Sequence, residues 1–242
     1  MLFLKRKQQF DALPLSCDFI VSLGEACRPA GQLANAGLRV CSNPLDWMLN
    51  YSLDVTILLF QNKFKDFFTD IEDLGVHEER WGPHHRIIQD NKSKMRDIHH
   101  FSIEEALEVT LRRFSEVMQH RYERMNECLA ASDSIVLICN RSDQPERFAE
   151  FLTLFHQIYD KPCTMINVRH SPNDEEYSCY EQLDSGLSII EHGFADVPSS
   201  PEQVVWLGNT FMWQKILKQI TVSDKLKSVI EKYQHSEVSS FQ

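Results

Sequence analysis

Four short apolar runs recur along the chain, at 18–23, 134–139, 163–168 and 187–192, with helix-patterned stretches between them. That alternation constrains the fold more than any other feature. Strands separated by helices pair in parallel through crossovers, and a parallel sheet needs helices on both faces. The expected class is therefore α/β: a mostly parallel central sheet covered on both sides. A first helix is expected near 28–36, with Pro29 in its first turn and Gly37 just beyond its end. Apolar residues at 53, 57, 60, 64 and 67 share a helical face. The longest helix is expected over 103–131, with Ser102 as its cap and Glu105 at capping-box spacing. Further helices follow at 145–159 and 209–220. Residues 70–98 read as irregular, with a short hairpin near 85–89, and 171–186 as a polar loop.

A length of 242 residues with 43% hydrophobic content suits one domain with a real core. No repeat or Gly/Ser linker divides the chain. The expected organisation is an amino-terminal arm at 1–17, a single domain at 18–221 and a polar tail at 222–242. A net charge of −10 argues against nucleic acid as a partner, since a phosphate backbone calls for a basic face. No stretch approaches the roughly 18 apolar residues of a membrane span. At the start, apolar residues precede Lys5-Arg6-Lys7, the reverse of a secretory signal. The seven cysteines include no CxxC pair, which suits reduced thiols and a cytoplasmic setting.

In a parallel sheet the functional crevice lies beyond the carboxyl ends of the strands. Cys27 stands there, after Gly24 and at the start of the first helix, with Arg28 beside it. Helix N–H groups and a neighbouring cation are expected to lower a thiol's pKa and make it a nucleophile. The competing role is a small residue packed under the first turn, and position alone does not separate the two. A nucleophile needs a base, and His99-His100, just before the long helix, supply the best candidates. His84-His85 form a rival pair. His77, His84, His85, His99 and His100 cluster with Glu78, Glu79, Asp90 and Asp97, but in no recognised metal spacing, so no metal is expected. Asp46-Trp47 follow a proline turn, where the carboxylate could orient a histidine, hold the turn or accept from substrate. Asn140-Arg141 and Asn167, Arg169 and His170 end two strands and are expected at the same crevice. Neither a Walker loop nor GxGxxG is present, so nucleotide binding of those kinds is not expected.

The block Ser22-Leu23-Gly24-x-x-Cys27, with Gln32-Leu33, Leu38-Arg39, Ser42-x-Pro44 and Asp46-Trp47, resembles a bacterial family described as papain-like cysteine peptidases. His99-His100-Phe101, Arg121-Tyr122-Glu123-Arg124 and the strand running to Arg141 are similar to later elements of that family. The likeness spans roughly residues 18 to 170. It implies Cys27 as nucleophile, His99 or His100 as base, and Asp46 as an orienting or structural carboxylate. The expected function is a cysteine hydrolase that cleaves a peptide, amide or ester bond through a thioester and needs no cofactor. Gly24, Arg28, Trp47, Asn140 and Arg141 are the expected substrate-binding residues. Two alternatives stay open. One is an acyltransferase of surface-polysaccharide assembly, with Arg28, Arg39, Arg141 and Arg169 binding the phosphates of coenzyme A. The other is a non-catalytic module whose acidic surface engages a protein partner.

Overall fold

The computed structural model describes residues 5–7, 11–76, 84–173, 175–184 and 186–237. In chain order the elements are β1 (Lys5–Lys7), β2 (Leu15–Cys17), β3 (Phe19–Ser22), α1 (Arg28–Asn35), β4 (Met48–Leu49) and α2 (Leu53–Gln61). Next come β5 (Ile71–Val76), β6 (Arg86–Asp90), β7 (Arg96–Asp97), α3 (Leu107–Ala131), β8 (Ile135–Cys139) and α4 (Pro145–Tyr159). The last are β9 (Cys163–His170), β10 (Tyr177–Gln182), β11 (Leu187–Phe194), α5 (Thr210–Leu217), β12 (Ile220–Val222) and α6 (Lys227–Glu237).

The main sheet has the order β1-β10-β11-β9-β8-β3. The four strands that carry the apolar runs, β3, β8, β9 and β11, are parallel. β10 and β1 join antiparallel, so the sheet is mixed. Successive strand residues face opposite sides, and both sides are buried here. Phe19, Val21, Ile135, Leu137, Met165 and Ile189 meet aromatic residues of α2, α3 and α4. Ile20, Val136, Ile138, Ile166, Val168 and Ile190 meet Leu33 of α1 and Met212, Trp213 and Ile216 of α5. That double burial is why apolar residues occupy both faces of these strands instead of following a strict alternation. The result is a single α/β domain with helices on both faces.

Several local expectations differ. Helix α3 begins at Leu107, and Ala106 precedes it without a side-chain cap. Ser102 is held extended by a bridge to His85, and Glu105 pairs with Arg113, so neither is free to form the capping box. The segment read as irregular builds most of a second, antiparallel sheet, β4-β7-β6-β5. Inside the expected polar loop, β10 forms and pairs antiparallel with β11. The polar tail contains α6, where Val229 and Ile230 pack on the core and Lys232 and Tyr233 bind Glu127 of α3.

Candidate active site

Strand β3 leads into the site. Its pairing continues one residue past Ser22, with Leu23 N donating to Ile138 O at 2.8 Å. Gly24 then turns the chain with φ +32°, where a Cβ would stand 2.7 Å from Tyr51 Oη. Only glycine fits that close approach and that dihedral. The turn is braced by Arg141, whose Nη1 donates to Gly24 O at 3.2 Å and Nη2 to Tyr51 O at 2.5 Å. Cys27 caps the amino terminus of α1, with Gly31 N donating to its carbonyl at 3.0 Å. Its side chain is nearly sealed, with 7% of the residue exposed.

The second half arrives on β7. Asp97, fully buried at the end of that strand, accepts through Oδ1 from the backbone N–H of His99 at 2.9 Å and of His100 at 2.8 Å. This is the turn an aspartate forms with the backbone two residues ahead. It directs the two adjacent imidazoles apart. His99 Nε2 comes 3.3 Å from Cys27 Sγ. The His100 ring turns to Asp97 Oδ2 at 2.6 Å through Nδ1 and to Arg121 Nη1 at 3.3 Å through Nε2. A guanidinium only donates, so His100 Nε2 accepts and Nδ1 carries the proton toward Asp97. Of the rival pair, His84 faces Glu104 at the surface and His85 lies in the bridge to Ser102.

Trp47, with φ +73°, packs its ring edge-on to His99 at 5.9 Å and to Trp206 at 6.0 Å. Asp46 is buried, but its bonds run to the loop that carries it. Arg39 donates to Oδ2 at 2.7 Å, and Asn43 to Oδ2 and Oδ1. Arg28 donates to Asp196 Oδ2 at 2.7 Å and to Trp206 O at 2.9 Å. Asn140 donates to Val168 O and Asp196 Oδ2. Arg141 also pairs with Asp143, and Arg169 with Glu191. All four arginines suggested for coenzyme A phosphates (28, 39, 141 and 169) therefore have carboxylate partners within the fold.

The electrostatics reverse one expectation. Burial first, then the Asp97 and Asp46 carboxylates, push the Cys27 thiol up from 9.0 to about 12, although its own backbone N–H opposes them. The Arg28 charge that was to lower it is spent on Asp196. Burial also lowers the His99 pKa below 6.5, with Asp97 opposing and His100 and His85 reinforcing it. Burial would raise the Asp97 pKa, but the His100 ring and the backbone N–H groups of His100 and His99 hold it down. The resting pair is thus a neutral thiol beside a neutral imidazole. Desolvation disfavours charge on both.

The roles of three residues in this arrangement escaped the sequence reading, which set Asp97 only beside the histidine cluster and named neither Asp196 nor Trp206. Asp97 was legible in principle, because an aspartate side chain commonly accepts from the backbone N–H two residues on, here that of His99. Asp196 and Trp206 had no local signal, since their partners Arg28 and Trp47 lie far away in the chain. Among the described residues, no three His, Cys, Asp or Glu side chains converge as metal ligands. His77, Glu78 and Glu79 lie outside the described residues. No described helix is long and apolar enough to cross a membrane.

In comparisons with known proteins, one family model matches residues 18–164, and its family is described as "putative papain-like cysteine peptidase". No curated protein and no solved structure matches the chain.

Proposed function

The chain belongs to this papain-like cysteine peptidase family, and from that premise we propose that it is a cysteine hydrolase with Cys27 as nucleophile and His99 as general base. The observation that carries the proposal is the 3.3 Å approach of His99 Nε2 to Cys27 Sγ. Because both groups rest neutral, the proton moves as the sulfur attacks. Sγ bonds to the carbonyl carbon of a peptide, amide or ester while Nε2 takes the thiol proton. His99 returns the proton to the departing amine or alcohol, leaving a thioester. A water then gives its proton to His99 and its oxygen to the thioester carbon. The acid leaves, and the thiol regains its proton.

Asp97 is a positioning residue in this scheme: it sets the His99 backbone and divides the two imidazoles. Trp47 packs edge-on against the imidazole and is itself backed by Trp206, which limits water on that side of the ring.

The test is acylation by p-nitrophenyl acetate, followed by peptide mass spectrometry. One acetyl group on Cys27 is expected. Acylation should fall about 100-fold or more in His99→Ala and be lost in Cys27→Ala. Acetylation at another residue, or equal rates in wild type and His99→Ala, overturns the proposal.

A further inference from the structure

Two cysteines outside the proposed centre meet across the fold. Cys41 stands in the loop after α1, and Cys128 in the last turns of α3. Arg124 precedes Cys128 by one helical turn on the same face of α3. Its Nη2 donates to Ser42 O at 3.0 Å, which holds the backbone beside Cys41 against that face. Cys128 is sealed in the large core cluster, and Cys41 packs onto that cluster from its edge. There the two thiols interact side chain to side chain.

Both are reduced, and of the seven cysteines only Cys41 is not buried. The pair is also asymmetric in charge. Contact with Cys128 holds the Cys41 pKa below 9.0, with burial opposing, Arg124 aiding and Asp46 opposing in turn. The same contact, and then burial, pushes the Cys128 thiol up. Cys41 therefore ionises first and reaches solvent, while Cys128 keeps its proton behind it. An accessible thiolate backed by a second thiol suits a division of labour: one sulfur meets an oxidant and the other resolves the product.

We propose that Cys41 and Cys128 form a peroxide-sensitive dithiol, in which Cys41 is oxidised first and Cys128 resolves it to a disulfide. The Cys41 thiolate attacks one oxygen of hydrogen peroxide. The S–O bond forms, the O–O bond breaks, and the departing hydroxide takes a proton to become water. The Cys128 sulfur then attacks the Cys41 sulfur, and the sulfenic hydroxyl leaves with the Cys128 proton as a second water. Two electrons pass from the sulfurs to the peroxide. The new bond ties α3 to the loop that carries Trp47. Neither cysteine belongs to the Cys27–His99 pair, so the proposal stands apart from the hydrolase reading.

The experiment treats the full chain with equimolar hydrogen peroxide, caps residual thiols with N-ethylmaleimide in acidic urea, and maps tryptic peptides by mass spectrometry. The expected product joins peptide 40–63 to peptide 125–141, lighter by two hydrogens and separated again by dithiothreitol. Fragmentation should place the bond at Cys128 and not at Cys139, which shares the second peptide. With dimedone present, Cys128→Ser should give a sulfenic-acid adduct at Cys41. Cys128→Ala gives the same readout if a buried hydroxyl impairs folding. In Cys41→Ser, oxidation of Cys128 should slow about tenfold or more. An unoxidised Cys41, a bond to Cys139, or a disulfide between two chains overturns the proposal. So does oxidation of Cys27 ahead of Cys41, or a dimedone adduct on Cys128 in Cys41→Ser.

Discussion

Titrating the alkylation of Cys27 probes the electrostatic core of the site. Its thiol is pushed from 9.0 to about 12 by burial and by the Asp97 and Asp46 carboxylates. A rise of three units leaves about a thousandth of the thiolate of an ordinary cysteine at pH 8. A more basic thiolate is intrinsically more reactive, with a Brønsted slope near 0.4–0.5, which returns roughly a factor of 20. The net expectation is alkylation by iodoacetamide about 50-fold slower at pH 8 than for the urea-unfolded chain. The rate should climb about tenfold per pH unit between pH 6 and 11, without a plateau. Peptide mass spectrometry resolves Cys27 from the other six thiols. Cys41 is a convenient internal contrast: its contact with Cys128, opposed by burial and aided by Arg124, holds its pKa below 9.0. The reasoning fails if Cys27 shows a reactive plateau below pH 7 that vanishes in His99→Ala. That result would mean a thiolate–imidazolium pair already present at rest, and the low-dielectric argument would be wrong.

Removing Asp97 orphans two backbone N–H groups and the His100 ring N–H. Asp97→Ala should therefore cost about 3–5 kcal/mol in urea unfolding, and a loss under about 1 kcal/mol refutes this role. Alkaline stability follows from Cys17 and Cys27, both raised from 9.0 to about 12, Cys17 by burial and then Asp18. Their contribution is intact below pH 9, where both states are protonated. Above it the unfolded chain ionises first, and stability falls until about pH 12. At pH 10 each thiol should cost about 1.4 kcal/mol, and equal urea midpoints at pH 8 and pH 10 would contradict this. At Gly31, a Cβ would stand 2.5 Å from the Trp206 ring. Gly31→Ala should displace that ring, shift the tryptophan fluorescence and slow acylation at Cys27; unchanged fluorescence would argue against the contact.

The sequence determined the central sheet because its information is local. Four short runs with apolar residues on both faces, separated by helix-patterned stretches, point to parallel strands covered by helices, and β3, β8, β9 and β11 are those runs. The position of Cys27 follows from the same logic, since a strand, a glycine turn and a proline-started helix are adjacent in the chain. Weakly patterned elements were less legible. Strands β5, β6 and β10 carry few apolar residues and owe their form to pairing with neighbours.

What only the tertiary structure decided are the partners brought from far along the chain. The Asp97 turn, which sends His99 to the sulfur and His100 to Arg121, depends on where β7 docks. Asp196, 168 residues away, takes Arg28, so a charge that looked available for tuning the thiol is already committed. The thiol's environment is the clearest case. Helix position and an adjacent arginine are visible in sequence and point to a lowered pKa. Burial and two nearby carboxylates arise only on folding, and they outweigh both.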